Sequence, residues 1–377
     1  MKRMIIALAA TSILMASCKK EDSEPDNPTT PAIVLPSTYN FDNVSYDGQT
    51  ARLDMLAEMT AELKKANSGN RVDSALLVRM YSNSGSPFAD AALNTSGKQL
   101  KNKTYNNVGA QTASYFEYLM KRQGDISQFA GNTWSAGNAG VATRGSSAYF
   151  FDENGVEYTQ IIEKGLMGAV FYYNIAEVYT RDGKIGSSVD NTTGTPGEGT
   201  DMEHHWDEAF GYFGAPIDFS ATNTTDARYH AKYALKGDAA GLGTINKVMT
   251  QFIKGRYGIT NKNYDYRDAA ASDLRKEYEK VLVTTAIHYL NAAKSNFADD
   301  ALRNHAISEA YAFIFSLAYN SDKEISNTDL ASVKGYFEIA AGPTSVPSFL
   351  AITVADLNAA IDKLSSVYGL DAVKSTL

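Results

Sequence analysis

Cysteine is almost missing from this 377-residue chain; the only one is Cys18. That excludes a disulfide scaffold and any zinc or iron–sulfur site built on several thiolates. Basic residues are outnumbered, 35 Lys and Arg against 43 Asp and Glu. The resulting net charge of -8 argues against a nucleic-acid partner, which needs a basic surface. The apolar stretch Met4–Ala16, about thirteen residues, is too short to span a bilayer as a helix. What is plentiful is apolar surface: 44% hydrophobic residues and 11% aromatics, with 23 Tyr. Wholesale disorder is thereby excluded. The length admits one large domain or two medium ones around a sizeable core.

Residues 1–17 read as a signal peptide. Lys2 and Arg3 form a positive start, Met4–Ala16 an apolar middle, and Ala16-Ser17 a small-residue end. A Cys directly after Ala-Ser resembles a bacterial lipobox, in which the cysteine is acylated and becomes the first mature residue. Cys18 is therefore the expected lipid attachment site. Loss of Lys2 and Arg3 leaves 33 basic against 43 acidic side chains, a net -10. Residues 18–38 read as a solvated tether, with Lys19-Lys20-Glu21-Asp22 followed by a Pro/Thr/Asn tract. The charged cluster behind the cysteine is similar to the export signal of surface lipoproteins in some Gram-negative bacteria. An outer-membrane lipoprotein facing outward, held by its lipid anchor, is the expectation.

Beyond residue 48 the dominant period is helical. Helices are expected over Ala51–Ala66, Val72–Tyr81, Ala110–Lys121, Glu157–Tyr179, Ala227–Leu235, Gly241–Ile253, Tyr266–Asn296, Ala301–Tyr319, Asp329–Ala340 and Val354–Val367. Two long Gly/Ser-rich stretches, Gly124–Gly155 and Asp182–Thr200, lack any period. No alternating β-branched run supports a sheet, and no 34-residue repeat supports a solenoid. The spacing predicts an all-α, helical-bundle domain over 39–377, with packed halves at 39–181 and 201–377.

Three helices carry polar residues where apolar ones would be expected. Glu157–Tyr179 is apolar all round, hence buried, yet holds Gln160, Glu163 and Lys164. Buried charges need a partner or a metal, and a Glu–Lys pair would serve as well. On Ala301–Tyr319, His305 and Glu309 are four apart and share one face, where they can bind one ion or each other. His288 lies on a similar stripe with nothing acidic one turn away. The densest group is Asp201-Met-Glu-His204-His205-Trp-Asp-Glu208. On a helix, Asp201, His204, His205 and Glu208 fall within one sector, opposite Met202, Trp206, Ala209, Phe210 and Phe213. Two imidazoles and two carboxylates suit zinc, iron or copper, and equally describe the wet face of an amphipathic helix.

Several catalytic motifs are missing. There is no H-E-x-x-H, no E-x-x-H pair of di-iron bundles and no G-x-S-x-G. His205-x-x-Glu208, in a helical lipoprotein with a buried Gln160–Ala169 segment, resembles the imelysin-type proteins and related surface lipoproteins of Gram-negative anaerobes. The likeness covers Tyr39 to the C-terminus and is strongest at 157–214 and at His305–Ile314. It implies an all-helical fold of two bundle halves around a central metal site, and a link to iron acquisition. Only His205 and Glu208 match that family's metal motif, which has Gly two residues before the histidine where this chain has Glu203. Glu163, His305 and Glu309 join them on the buried-stripe argument.

The expected function is that of a surface-anchored, non-enzymatic lipoprotein. It would help iron, another transition metal or a metal chelate reach a TonB-dependent outer-membrane transporter, with no organic cofactor. His205, Glu208, Glu163, His305 and Glu309 would be the metal ligands, under the two irregular loops. A metal-dependent hydrolase or peptidase, with Glu208 as ligand or general base, is the first alternative. A metal-free nutrient- or glycan-binding surface protein that stacks sugars on Tyr is the second.

Overall fold

A computed structural model of the protein describes residues 33–106, 112–338 and 347–377. The signal-peptide and lipidation readings, and the tether as far as residue 32, lie outside the described residues. One compact unit runs Leu35–Leu377 without dividing at the 182–200 loop. It begins a few residues before the expected domain start, because the Leu35 side chain already packs on the core.

The described residues are mostly helical. The longest helix, α10 (Tyr264–Ser295), lies against α8 (Tyr229–Ala239), α9 (Thr244–Thr260), α11 (Asp300–Ser316) and α13 (Val354–Val367). The other side is built from α1 (Asp47–Leu63), α2 (Ser74–Ser82) and α4 (Ala113–Ile126). Helix α2 packs on α1 and α4, which in turn pack on α5 (Tyr158–Leu166), and α5 itself lies on α11. Bundle packing follows from the sequence because each long helix carries apolar residues at three- and four-residue spacing. Ends are set by side-chain caps: Asn263 on α10, Asp299 on α11, and a Thr353–Asp356 capping box on α13.

The helix that starts at α5 does not stop at Leu166. It continues as two π-helical stretches, Met167–Tyr172 and Asn174–Tyr179, before the short α6 (Asp182–Ile185). A cause is visible in Asn174, whose amide donates to the Val170 carbonyl at 2.6 Å and the Lys103 carbonyl at 2.7 Å. Thr180 takes the Ile175 carbonyl in the same way at 2.7 Å. Side chains that occupy backbone acceptors widen the helical turn. The π stretch packs on α7 (Asp201–Phe213), and both are largely buried.

The 124–155 segment departs from expectation. Its first residues finish α4, and its end forms a hairpin, β1 (Gly140–Arg144) paired antiparallel with β2 (Ser147–Phe151). Gly145, at φ +58°, supplies the first central residue of the two-residue turn, where a side chain would be strained. Periodicity misses these strands because Gly, Ala and Ser supply few β-branched residues. Trp134, Phe151 and Ala301 join the hairpin to α11 in a small second apolar cluster. The 182–200 loop holds α6 and a minimal hairpin, Gly194–Thr195 with Gly199–Thr200. A short helix at Ala91–Thr95 (α3) was not expected, and α12 covers Asn327–Gly335.

Candidate functional sites at the two ends of one helix

Helix α7 begins with a capping box: Thr200 accepts from the Glu203 amide while Glu203 caps Thr200 in return. Met202, Trp206, Ala209, Phe210 and Phe213 are buried, as the helical wheel requires. The remaining faces split into two parts. Asp207, fully buried, and Glu203 face Arg256 of α9, with Arg256 Nε to Asp207 Oδ1 2.9 Å and Arg256 Nη1 to Glu203 Oε1 2.6 Å. Tyr39 donates to the same Asp207 oxygen at 2.6 Å, which holds the start of the domain against α7. Burial pushes the Asp207 carboxyl up to about 6, against the pull of Arg256. Asp201 is exposed; His204 is half-buried, and its Nδ1 has no hydrogen-bond partner.

The second part is the face with His205 and Glu208, both half-buried. One residue of the covering loop, Lys184 of α6, meets both ring nitrogens of His205. Its carbonyl oxygen lies 2.9 Å from Nδ1 and its Nζ 3.0 Å from Nε2. A carbonyl only accepts and an ammonium only donates, so the tautomer that satisfies both carries its proton on Nδ1. Burial, helped by the Lys184 ammonium, holds His205 below the ordinary imidazole range. Glu208 accepts from the Gln49 amide at 2.7 Å, and burial, joined by its charge, holds the Tyr179 hydroxyl above its usual range. Tyr179 ends the π stretch, and its hydroxyl also accepts from Lys103 Nζ at 2.9 Å. The ammonium groups of Lys103 and Lys184 sit 5.3 and 5.8 Å from its ring centroid.

The other polar group lies where α5 faces α11. His305 Nδ1 is 2.6 Å from the Glu157 carboxylate, which is fully buried at the α5 N-cap. His305 Nε2 points toward Glu309 at 3.8 Å, and Glu309 meets the buried Lys164 at 3.4 Å. Lys164 also pairs with Glu163 at 2.7 Å, the Glu–Lys pairing foreseen as one account of these charges. Burial opposes a charged His305, but the touching Glu157 and then Glu309 outweigh it and hold the imidazole above its usual range. Tyr149 of the hairpin lies over the ring at 4.6 Å.

The five expected ligands therefore do not converge. From Tyr158 to Tyr179 the backbone is one unbroken helical run, spanning on the order of 30 Å. His305 sits beside its first residues and His205 beside its last. Among the described residues no three His, Cys, Asp or Glu side chains are grouped to hold a metal ion. Each irregular loop covers one group: 182–200 lies on His205 through Lys184, and 124–155 lies on His305 through Tyr149. His288 is half-buried and held below its usual range by burial. Lys184, Lys103, Gln49, Tyr179 and Glu157 escape sequence reasoning because they lie 21 to 159 residues from their partners. Only their hydrogen-bonding chemistry, and no spacing, marks them.

Fold and sites together define a mostly α-helical bundle protein with two half-buried polar clusters, each under its own loop. The chain belongs to the family described as a domain of unknown function, DUF4856, which matches residues 36–339. No curated protein and no solved structure matches it.

Proposed function

We propose that this protein is a non-enzymatic lipoprotein of the outer-membrane surface, anchored through Cys18. It would capture iron or another transition metal, or a chelate of one, and hand it to a TonB-dependent transporter. The observation that carries the reading is the state of His205. Its Nδ1–H is pinned to the Lys184 carbonyl, which fixes the tautomer and leaves the Nε2 lone pair to accept from the Lys184 ammonium, the contact a metal would take over. Metal-binding histidines are commonly oriented by this kind of bond. The neighbouring Glu208 carboxylate supplies an oxygen, and neutral imidazole with carboxylate suits iron, zinc or copper. The resemblance of His205-x-x-Glu208 to the imelysin-type motif points the same way.

Two protein donors leave the remaining coordination positions to water or to an incoming chelator, an arrangement that favours reversible capture over permanent retention. Glu163, His305 and Glu309 drop out of the proposed ligand set, since they belong to the group at the other end of the helix. The test is metal analysis with calorimetry on wild type and the His205→Ala and Glu208→Ala variants. Both substitutions should abolish binding without loss of fold; unchanged binding in both ends the proposal. A peptidase screen with and without chelator separates this reading from a metallohydrolase.

A further inference from the structure

Lys184 gives the His205 site a property that follows from charge. In a chain of net charge -8, the surroundings of Tyr179 are positive. Lys103, Lys184 and Arg52 act there against the Glu208 carboxylate. Arg52 is buried and spends two donors on the Gln99 and Gly48 carbonyls, which fixes its charge in position. Lys184 Nζ stands 3.0 Å from His205 Nε2, the atom a metal would need. A cation thus already occupies that position.

A bare metal ion approaching His205 would have to displace a like charge and would meet two further cations. A metal wrapped in carboxylates differs. Its anionic oxygens attract Lys184 and Lys103, and Lys184 can leave Nε2 for an oxygen without losing a charged partner. The Lys184 ammonium makes no ion pair with a carboxylate among the described residues, so only a neutral imidazole holds it at Nε2. Lys184 is half-buried, on a four-residue helix between Gly183 and Gly186. Behind that helix lies a cleft of about 400 Å³ lined by Thr180, Gly183, Ile185, Ala271 and Arg275.

We infer that the site selects a transition metal carried in an anionic polycarboxylate chelate over the bare ion. Lys184 and Lys103 hold the chelate, and Lys184 is the specificity-determining residue. The inference rests on the reading of His205 and Glu208 as metal donors, and the experiment keeps the two apart. Calorimetry and metal analysis after gel filtration would compare ferric citrate, ferrous ion alone under anaerobic conditions and citrate alone. The proteins would be wild type, Lys184→Met, Lys103→Met and His205→Ala, each checked for fold by circular dichroism.

Wild type should bind ferric citrate at least about tenfold more tightly than ferrous ion, the value of one charge-assisted contact. Lys184→Met should reverse that order, weakening ferric citrate and strengthening the bare ion by about tenfold each. Lys103→Met should weaken ferric citrate alone. His205→Ala should lose both metal forms. Loss of both in His205→Ala, with Lys184→Met within twofold of wild type for both probes, overturns the selection and leaves the metal reading standing. Citrate alone binding as well as ferric citrate, undisturbed by His205→Ala, overturns both.

Discussion

Replacing Arg256 by methionine removes the cation that pairs with Glu203 and Asp207 of α7. The guanidinium donates to Asp207 at 2.9 Å, to Glu203 at 2.6 Å, to the Asp42 carbonyl at 3.1 Å and to the Thr260 hydroxyl. Methionine fills much of the same volume but leaves Asp207, fully buried and with its second oxygen already without a hydrogen-bond partner, facing no cation. Breaking such a pair from one side costs about 3–5 kcal/mol. The cost depends on pH with a definite sign. The folded Asp207 carboxyl lies at about 6, above its ordinary 3.8. Its favourable contribution is therefore complete below 3.8 and lost as pH climbs through 6. Without Arg256 the folded value moves higher still. At pH 5 the side chain is then neutral, and the penalty should fall to about 1–2 kcal/mol, since each pH unit is worth about 1.4 kcal/mol. Urea unfolding at pH 5 and pH 8, followed by circular dichroism, measures the difference. Adding Asp207→Asn to Arg256→Met should restore at least about 2 kcal/mol at pH 8 and remove the pH sensitivity. A penalty under about 1 kcal/mol at pH 8, or one equal at both pH values, would refute the reasoning.

A methyl at position 255 would overlap the indole of Trp206, which is fully buried and donates to the Phe252 carbonyl at 2.9 Å. Gly255→Ala should destabilise by about 1–3 kcal/mol and shift the tryptophan emission; an unchanged melting temperature contradicts the close approach of α9 and α7. His305 and His230 should titrate on opposite sides of 6.5. His305, held up by Glu157, should show an NMR pKa above that value; its stabilising contribution is full below pH 6.5 and disappears as pH rises through the folded value. His230, fully buried against Tyr278 at 2.6 Å, is pushed by burial down to about 3 and should stay neutral through pH 5. Its contribution has the reverse sign, present above pH 6.5 and lost as pH falls toward 3. A His305 midpoint below 6.5, or a His230 midpoint near 6.5, would break the respective account.

The helices were legible from the chain itself because burial of one face imposes the 3.6-residue period on local sequence. So was the burial of Met202, Trp206 and Phe210. The hairpin at 140–151 was not, since Gly, Ala and Ser alternate without marking a face. His205, Glu208, His305 and Glu309 stood out as polar residues on helices that otherwise bury themselves. Their grouping did not, because a helical wheel reports the face of one helix and nothing about its neighbour. That His305 turns to Glu157 and His205 to Lys184 was decided by packing of segments 148 and 21 residues apart in the chain. The long run from Tyr158 to Tyr179 then keeps the two groups apart, for a helix is a rigid spacer whose length no sequence spacing between histidines reveals.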